Sequence, residues 1–544
     1  MNEYEMLGGL HQIVDADVNL KMKNWIESHN VNYSLLYPLA AIELGAIKEP
    51  PENMENLFKR SVAAFIYAKA IENKKDIFIK KFNTPGFKKY LKSYETELIP
   101  CYQNFRFSRE INDINPFSKA RLMQVGENRY KLTTSLVTDH YREEDVYFYG
   151  EDDTVIAAKE REQTFSLHMK FWNRAVLEKN TYEVLSNNID EELYNCCIAI
   201  IEKDINKWNS RVRSTVFDNP NQLARVIAFF YYHAMLKSIF LRIEIDCTED
   251  FIEVGKETIM YFNTEKSIKD IVRITGLPEK KVTNIVKYLI NDGRLSLLEF
   301  PLFEVEDTLV TVPSLILVND WQFTIINGHY IKDIKITNRE KTISTVTEGR
   351  IEKTLKGLTN IAVAKTVPYS FSDEFGNILS SDIDYAIYDF THNKILVVEA
   401  KWIDKHYKDE IDKIYGKILE TFNTIFSKQI EKHKKFLCVQ QNIDFLFKDD
   451  ERYKTGLPMP EIYYLAVDKR NQLHIGEKHM VSEYMLIYLL RKFTIKNELD
   501  LPAMWNEIEG LQTKVEYITV SENYHEIRVG EDIVLVEKAD LYWE

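Results

Sequence analysis

The sequence contains few of the residues that interrupt regular secondary structure. Its 544 residues include 18 Gly and 14 Pro, together about 6% of the chain and about half of their usual share. This scarcity favours long helices and strands over a loop-rich β architecture. With 45% hydrophobic and 28% charged residues, the chain can bury large cores, and its length predicts several domains rather than one.

Cysteine is also scarce, and several common signals are missing. The five Cys residues are scattered without a C-x-x-C pair, which excludes a disulfide scaffold and suits a reducing cytoplasm. No G-x-x-x-x-G-K loop is present to support ATP-driven translocation. The N-terminus is acidic, unlike a signal peptide. The most apolar run, 226–243, contains His233, Lys237 and Arg242, so we expect a buried helix and no membrane span.

The charge balance of the chain is acidic. Lys and Arg number 70 against 84 Asp and Glu, which gives a net charge of −14. Because nucleic acids bind basic surfaces, a chain with this balance cannot coat them non-specifically. Any contact with nucleic acid therefore requires a local basic surface.

Changes in hydrophobic pattern divide the chain into four regions and predict a multidomain α+β protein. The first region follows a helical rhythm of about 3.6 residues, and Asn219 followed by Pro220 is a helix start signal. In the third region we expect an extended stretch (361–369), a hairpin (382–388 and 395–400) and a further strand (462–467) between helices, as in layered α/β domains. The predicted regions are a mainly helical one (1–255), a helix-turn-helix with β-strands (256–335), an α/β domain (336–475) and a C-terminal extension of one helix and β-strands (476–544).

Residues 267–289 predict a helix, a tight turn and a second helix. Gly276 can adopt the positive φ needed at a helix end, and Pro278 opens the next helix. Two β-rich runs, 295–300 and 309–317, follow, so the segment resembles a winged-helix domain. The resemblance implies that the exposed side of the second helix enters the DNA major groove. The residues expected on that side are Lys280, Lys281, Asn284 and Lys287.

The charges of this winged-helix-like module leave two roles open. The stretch 266–294 holds seven basic and three acidic residues, against the acidic balance of the whole chain. The expected wing, however, carries Glu299, Glu304, Glu306 and Asp307, which would repel phosphates. Contact with duplex DNA and a protein-interaction or spacer role are therefore both retained as alternatives.

The strongest chemical signal lies in the predicted hairpin 381–402. Strand alternation places Glu399 and Lys401 on one face of the sheet and Ala400 on the other. The turn between the strands brings Asp384 opposite Glu399. Burying two carboxylates in an apolar sheet is costly without a cation, and oxygen ligands of this kind suit Mg²⁺. The pattern therefore predicts a Mg²⁺ site that polarises a phosphodiester oxygen beside Lys401.

This order of residues resembles the PD-(D/E)xK nuclease superfamily, which includes many restriction and repair nucleases. Asp384 matches the strand acid and Glu399-Ala400-Lys401 matches the E-x-K motif, although the Pro before the strand acid is missing. The resemblance implies a restriction-endonuclease-like core over about 340–470. It also implies that Asp384, Glu399 and the Ala400 carbonyl hold Mg²⁺, with Mn²⁺ as a substitute, and that Lys401 assists the attacking water.

The flanking helices supply further residues under the same resemblance. The helix before the hairpin carries Glu352, or Glu348 one turn earlier, where family members place an additional catalytic acid. On the Lys-rich helix after the core, Lys428, Gln429 and His433 match polar residues that reach the scissile phosphate in some members. Gln429 is accordingly expected to contact nucleic acid.

Simpler roles are the alternatives for these side chains. Asp384, Glu399 and Lys401 would then form a structural ion-pair cluster at the end of a sheet, although fully buried Glu and Lys rarely lack a functional partner. Glu352 would be a solvated helix acid. Asp382 and Asp389 are expected to be exposed hairpin residues rather than metal ligands.

The resemblance implies a cytoplasmic, Mg²⁺-dependent nuclease that cuts DNA, as a gated effector of bacterial restriction or anti-phage defence. The large acidic region 1–255 would act as a sensor or as the dock for a protein trigger, and a homo-oligomer would fit double-strand cutting. Two alternatives remain. One is a non-catalytic DNA- or protein-binding regulator that retains the nuclease core as a scaffold, and the other is an RNA-cleaving effector.

Overall fold

The protein combines helices with several sheets, as the sequence predicts, and is described here from a computed structural model. The large α/β unit of the third region carries the predicted site. The structure describes residues 3–48, 54–73, 81–112, 121–126, 129–133, 136–138, 154–209, 211–248, 250–293, 297, 299–319, 321, 324–325, 332, 334–337, 349–372, 376–401, 420–468, 472–511, 514–516, 524–529 and 532–537.

The first region is built around one long central helix, Pro220–Asp246. It begins where the sequence predicts, because the Asn219 side chain accepts a hydrogen bond from the Gln222 N–H at 3.2 Å and Pro220 occupies the first turn. The helix is long and apolar enough to cross a membrane, but 72% of its most apolar window is buried inside the protein. It is therefore the expected core helix. The other helices of this region are Glu3–Ser28, Val31–Ser34, Leu36–Lys48, Met54–Glu72, Thr84–Ser93, Ile99–Asn112, Thr154–Trp172, Tyr182–Asn187 and Glu191–Asn209, with π-helical turns at Tyr94–Leu98 and Asn173–Leu177.

A sheet joins the first region to the end of the chain, which the sequence does not predict. A hairpin of the first region (β1 and β2) and a hairpin near the end of the chain (β18 and β19) assemble in the order β1-β2-β19-β18, and β2 and β19 pair in parallel. A second contact pairs β3 with β17. The strands concerned are β1 (Arg121–Gly126), β2 (Arg129–Thr133), β3 (Leu136–Thr138), β17 (Lys514–Glu516), β18 (Tyr524–Val529) and β19 (Asp532–Glu537).

The helix–turn–helix of the second region is confirmed. Helices Thr264–Thr275 and Glu279–Leu289 flank Gly276, which has φ +67° as expected at a helix end. A three-stranded antiparallel sheet in the order β5-β7-β6 accompanies them. Its strands are β5 (Met260–Asn263), β6 (Phe303–Val305) and β7 (Thr308–Thr311); nearby lie the 3₁₀ turn Glu253–Glu257 and the two-residue pair β4 (Arg213–Ser214) and β8 (Ile336–Thr337).

The predicted wing strands are wrong in position. The described residues of 295–300 form no strand, and the hairpin lies later, at β6 and β7. The run 309–317 does not continue as a strand either, because Pro313 starts the short helix Pro313–Leu317. Proline lacks the N–H that a ladder requires and its fixed φ suits the first turn of a helix. The hairpin therefore ends just before Pro313.

The third region contains a six-stranded sheet in the order β13-β14-β12-β11-β10-β9. The first three strands form an antiparallel meander, whereas β11, β12 and β14 are parallel. The sequence predicts β9 to β12 and misses the short β13–β14 hairpin. The strands are β9 (Ile361–Ser372), β10 (Ile378–Asp389), β11 (Lys394–Lys401), β12 (Glu461–Asp468), β13 (Leu473–Ile475) and β14 (Lys478–Ser482).

Helices cover both faces of this sheet. The front face packs on a helical segment at 420–437, which includes Ile425–Ile430 and Glu431–Leu437, and on the helix Gln440–Leu446. The back face packs on a helix at 349–355 and on Glu483–Lys492 and Leu501–Gly510. The last two are separated by the small pair β15 (Thr494–Ile495) and β16 (Glu498–Leu499). Each face thus has its own apolar core.

The sheet opens into a fork at its functional edge. Backbone pairing between β10 and β11 runs from the turn to Tyr385 opposite Val398 and ends there. Beyond this point β11 stays paired with β12 as far as Lys401 opposite Asp468, while β10 stays paired only with β9. Thr366 of β9 has φ +48° beside the fork, a conformation that β-branched residues rarely adopt. The fork leaves space between the two strands that carry the predicted acids.

Candidate active site

Three of the predicted site residues meet at the fork. Asp384 lies one residue beyond the last β10–β11 pair, and its Oδ2 accepts a hydrogen bond from the Ala400 N–H at 2.8 Å. A side-chain carboxylate therefore replaces the backbone partner that Ala400 loses where the strands separate. Glu399 and Lys401 lie on the front face and Ala400 packs against the back core, so the predicted alternation is present.

Glu399 is held by donors on both of its oxygens. Its side chain is 3% exposed; the Lys401 Nζ lies 2.7 Å from Oε1, and Nε2 of the fully buried His433 lies 3.0 Å from Oε2. Nδ1 of His433 lies 2.7 Å from the hydroxyl of the buried Tyr369. If the Tyr369 phenol donates to Nδ1, the ring proton is assigned to Nε2, which donates to the carboxylate.

The pKa values of the three groups diverge because each has different neighbours. Burial and the negative charge of Glu399 raise the pKa of Asp384 to about 6. The hydrogen bond from the Ala400 N–H and the positive charge of Lys401 act in the opposite direction but do not cancel this rise. Burial also acts to raise the pKa of Glu399, but hydrogen bonds from His433 and Lys401 hold it below its ordinary value. Burial opposes the charge on Lys401, yet Glu399 and Asp384 keep its pKa above the usual range. At neutral pH the site therefore contains a charged ammonium and two carboxylates that repel each other.

The structure does not bring Glu352 into this group. Its side chain is largely exposed, and its Oε2 pairs with the Lys365 Nζ at 3.1 Å. The helix that carries it covers the back face of the sheet, opposite the 420–437 segment with His433. Glu348 lies outside the described residues. Gln429 is half-buried on the front-face segment, one turn before His433.

The predicted nucleic-acid residues of the second region differ in their availability. Lys280 and Lys287 are exposed on the second helix, and Asn284 is half-buried. Lys281 forms an ion pair with Asp218 at 2.9 Å, which ties this helix to the first region. Two of the three lysines thus face solvent, and the third has a protein partner.

Asp389 corrects an expectation, because it is fully buried rather than exposed. Oδ1 accepts hydrogen bonds from the Asn360 side chain (3.1 Å) and from the Thr391 and His392 N–H groups (2.9 and 3.3 Å). Oδ2 lies 2.7 Å from the His392 ring and accepts from the Leu501 N–H at 3.3 Å. The carboxylate thus organises the β10–β11 turn and connects it to the back-face helix. The other predicted exposed acid, Asp382, is exposed.

Sequence reasoning missed Tyr369 altogether and assigned His433 a different contact. His433 was expected to reach a phosphate, and it instead contacts Glu399 from the buried side. Tyr369 lies 64 residues before it along the chain, so only the folded sheet brings the two together. The sequence offered one signal for Tyr369, a tyrosine in a strand next to the strands that carry the acids. Tyrosines in strands are too common for this signal to identify a functional residue.

The donor set at the fork suits a small hard cation, although it is sparse. The described parts of the chain contain no group of three or more His, Cys, Asp or Glu side chains arranged to hold a metal. A cation here would rely on the Asp384 and Glu399 carboxylates, the Ala400 carbonyl and water. Mg²⁺ accepts such a site, because it keeps several waters and binds through one or two carboxylates. The repulsion between the two acids favours a cation between them.

No family model, curated protein or solved structure matches this chain. The resemblance to the PD-(D/E)xK superfamily therefore rests on the residues of this chain alone.

Proposed function

We propose that the protein is a Mg²⁺-dependent nuclease that hydrolyses phosphodiester bonds in DNA at the fork between β10 and β11. The observation that carries the proposal is the convergence of Asp384, Glu399 and Lys401 at the one point where two central strands separate. Two acids and an ammonium are the groups that a restriction-endonuclease-like site requires. The six-stranded sheet with helices on both faces supports the same assignment.

Each residue has a distinct part in the proposed reaction. Asp384, Glu399 and the Ala400 carbonyl would hold the cation, which when bound supplies Lewis-acid polarisation of a phosphodiester oxygen. Lys401, kept protonated by the neighbouring acids, orients the attacking water and offsets the negative charge that develops on the phosphoryl oxygens. For Glu352 the proposed role is the positioning of substrate, although its side chain pairs with Lys365 and its helix covers the back face of the sheet.

We further propose that the enzyme is regulated and acts in the cytoplasm. The Lys401 ammonium occupies Oε1 of Glu399, so a metal must compete with this ion pair before the site can act. This ion pair is consistent with a gated effector, and the proposed place of that effector in bacterial restriction or anti-phage defence rests on the family resemblance alone. The first region would receive a protein trigger, and the winged-helix-like second region would bind duplex DNA. A homo-oligomer would supply two sites for double-strand cutting.

One observation favours a second candidate, a non-catalytic regulator. Both oxygens of Glu399 already have protein donors, so the cluster is also complete as a structural ion-pair network. In that case the core would be a scaffold for binding DNA or protein. A scaffold would bind no Mn²⁺ at the fork, which separates the two candidates without any assay of cleavage.

The proposed function is tested by a cleavage panel on plasmid, linear duplex, single-stranded DNA and RNA with Mg²⁺, Mn²⁺ or EDTA. We expect cutting of DNA that EDTA abolishes and that Lys401→Met lowers by about 100-fold or more, as when a transition-state stabilising group is lost. Lys394→Met is the matched control, because Lys394 lies at the other end of β11 and pairs with Glu461. Its activity should equal that of the wild type.

Three outcomes of this panel would change the assignment. Preference for RNA would identify the RNA-cleaving effector instead. Cutting that survives EDTA or Lys401→Met would contradict the proposed site. If no substrate is cut, Mn²⁺ binding measured by calorimetry and lost in Asp384→Asn would identify a gated nuclease, whereas no Mn²⁺ binding would identify the scaffold.

The winged-helix-like module gives a separate prediction for DNA binding. Lys280→Ala with Lys287→Ala should weaken binding to a duplex by roughly 10-fold and flatten its salt dependence by about two charges, because each lysine releases counterions from phosphate. Lys281→Ala should have a smaller effect, since Asp218 already engages that ammonium. Fluorescence anisotropy across a salt series measures both. Equal effects of all three lysines, or none, would favour the spacer or protein-interaction role.

A further inference from the structure

A buried chain of hydrogen bonds extends from Glu399 into the core and takes no direct part in the chemistry proposed above. Tyr369 of β9, His433 of the 420–437 segment and Glu399 of β11 are linked at 2.7 and 3.0 Å. All three side chains are at most 5% exposed. Three separate elements therefore form one chain of hydrogen bonds that ends at Oε2 of Glu399.

We infer that Tyr369 and His433 form a positioning relay that fixes Oε2 of Glu399 and leaves Oε1 as the oxygen that serves the metal. This inference rests on the proposed function of the fork. The two oxygens differ in their surroundings, because Oε2 faces the fully buried His433 and Oε1 faces the partly exposed Lys401. Only Oε1 can exchange its partner without opening the core.

The relay acts by geometry and not by moving protons. The Tyr369 hydroxyl lies 2.7 Å from Nδ1 of His433 and also bonds the Ser381 side chain, so its position is fixed from two sides. Because an ionised carboxylate can only accept hydrogen bonds, Nε2 of His433 is assigned as the donor to Oε2 of Glu399. A carboxylate with one oxygen tied in this way cannot rotate about its last torsion. Groups that orient a metal-binding side chain in this manner typically contribute 10- to 100-fold in metal affinity or activity.

Neighbouring contacts keep the relay rigid. The Tyr369 ring stacks on Phe436, with centroids 4.0 Å apart, three residues after His433 on the same segment. Lys432, the residue before His433, donates to the Ser380 carbonyl of β10 at 3.3 Å. The segment is thus attached to the part of the β9–β10 hairpin that lies beyond the fork. A displacement of that hairpin would therefore move the 420–437 segment and change the contact between His433 and Glu399.

The test compares variants that keep or lose single hydrogen bonds of the relay. His433→Leu removes the donor to Glu399, whereas His433→Gln retains an N–H that can replace Nε2. Tyr369→Phe removes one hydroxyl and retains the stacking on Phe436. The matched control is Tyr388→Phe, because Tyr388 is also buried in this sheet and its hydroxyl bonds Asn393, away from Glu399.

The readouts are the Kd for Mn²⁺ alone, by calorimetry on the full chain, and kcat and KM with duplex DNA. We expect His433→Leu to raise the Kd at least 10-fold and Tyr369→Phe several-fold, and His433→Gln to return it to within about 3-fold of the wild type. kcat should fall in parallel while KM for DNA stays constant. Tyr388→Phe should change neither.

Each remaining outcome overturns the inference. If the wild type binds Mn²⁺ and His433→Leu binds it equally well, or if Tyr369→Phe and Tyr388→Phe shift the Kd alike, the relay is only structural and the proposed nuclease stands. If His433→Gln binds Mn²⁺ as weakly as His433→Leu does, the same conclusion follows. A wild type that neither binds Mn²⁺ nor cuts DNA would remove both the proposed function and the relay.

Discussion

Asp384→Asn is expected to abolish cleavage and at the same time to stabilise the metal-free protein. The amide keeps an oxygen that can accept the Ala400 N–H, so the fork retains its geometry. It loses the negative charge that the proposed cation requires, and we expect activity to fall by about 100-fold or more. The gain in stability follows from the cost of holding a second, half-buried carboxylate beside the buried Glu399.

The stabilisation by Asp384→Asn depends on pH in a defined direction. The folded protein raises the pKa of Asp384 from 3.8 to about 6, so the neutral acid is favoured in the folded state. Its contribution to stability is complete below the unfolded pKa and is lost as pH rises through the folded value. The variant should therefore match the wild type near pH 4 and exceed it above pH 6. The upper limit of the difference is roughly 3 kcal/mol.

Thermal unfolding in EDTA at a series of pH values measures this difference. Asp449→Asn is the matched control, since Asp449 is an exposed acid that follows the Gln440–Leu446 helix of the same domain. It should change neither activity nor stability appreciably. If Asp384→Asn were less stable than the wild type at neutral pH, the carboxylate would have a structural role and the functional assignment would weaken.

Asp389→Ala is expected to have the opposite effect to Asp384→Asn. It should lower the free energy of unfolding strongly, although Asp389 takes no part in the proposed reaction. The substitution removes the buried acceptor of the Asn360 side chain and the Leu501 N–H. It also removes the acceptor of the Thr391 and His392 N–H groups and of the His392 ring, which lie at the exposed end of the turn. An unsatisfied buried donor typically costs about 1–3 kcal/mol, and the buried donors here are those of Asn360 and Leu501, so a loss of about 2–4 kcal/mol is expected.

Local hydrogen exchange is the appropriate measurement for Asp389→Ala, because a chain of several domains need not unfold in one step. Amides of β10 and β11 should exchange faster, whereas those of the Pro220–Asp246 helix should not change. Asp382→Ala, on the same strand, should leave all of them unaffected. Equal protection in wild type and Asp389→Ala would show that the turn is held by other contacts.

Local patterns predicted much of the third region and of its site. Alternating apolar residues identify β9 to β12, and a short turn fixes which residues of a hairpin face each other. For this reason Asp384 and Glu399 could be paired from the sequence. The same logic failed for Asp389, because a turn acid can be solvated or can be a buried organiser, and only the packing of Leu501 against the turn decides between them.

Features that depend on distant parts of the chain were not predictable. Tyr369 and His433 become neighbours only when a helix crosses the front of the sheet. The wing strands were misplaced because a hydrophobic run next to Pro301 or Pro313 does not show whether the strand lies before or after the proline. The pairing of β2 with β19 was also not predictable, because neither strand has a sequence feature that distinguishes it from an ordinary edge strand.

The β2–β19 pairing has a consequence for how the protein is made. Tyr130 and Val534 pair in register although about 400 residues separate them. At a synthesis rate of roughly 5–20 residues per second, β2 waits about 20–80 s for its partner strand to be translated. During that interval the ribosome carries a chain whose β1–β2 hairpin has an open edge, the kind of surface that recruits other strands. The nascent chain is thus an expected client of chaperones, and strand exchange between chains on neighbouring ribosomes would be its characteristic assembly error.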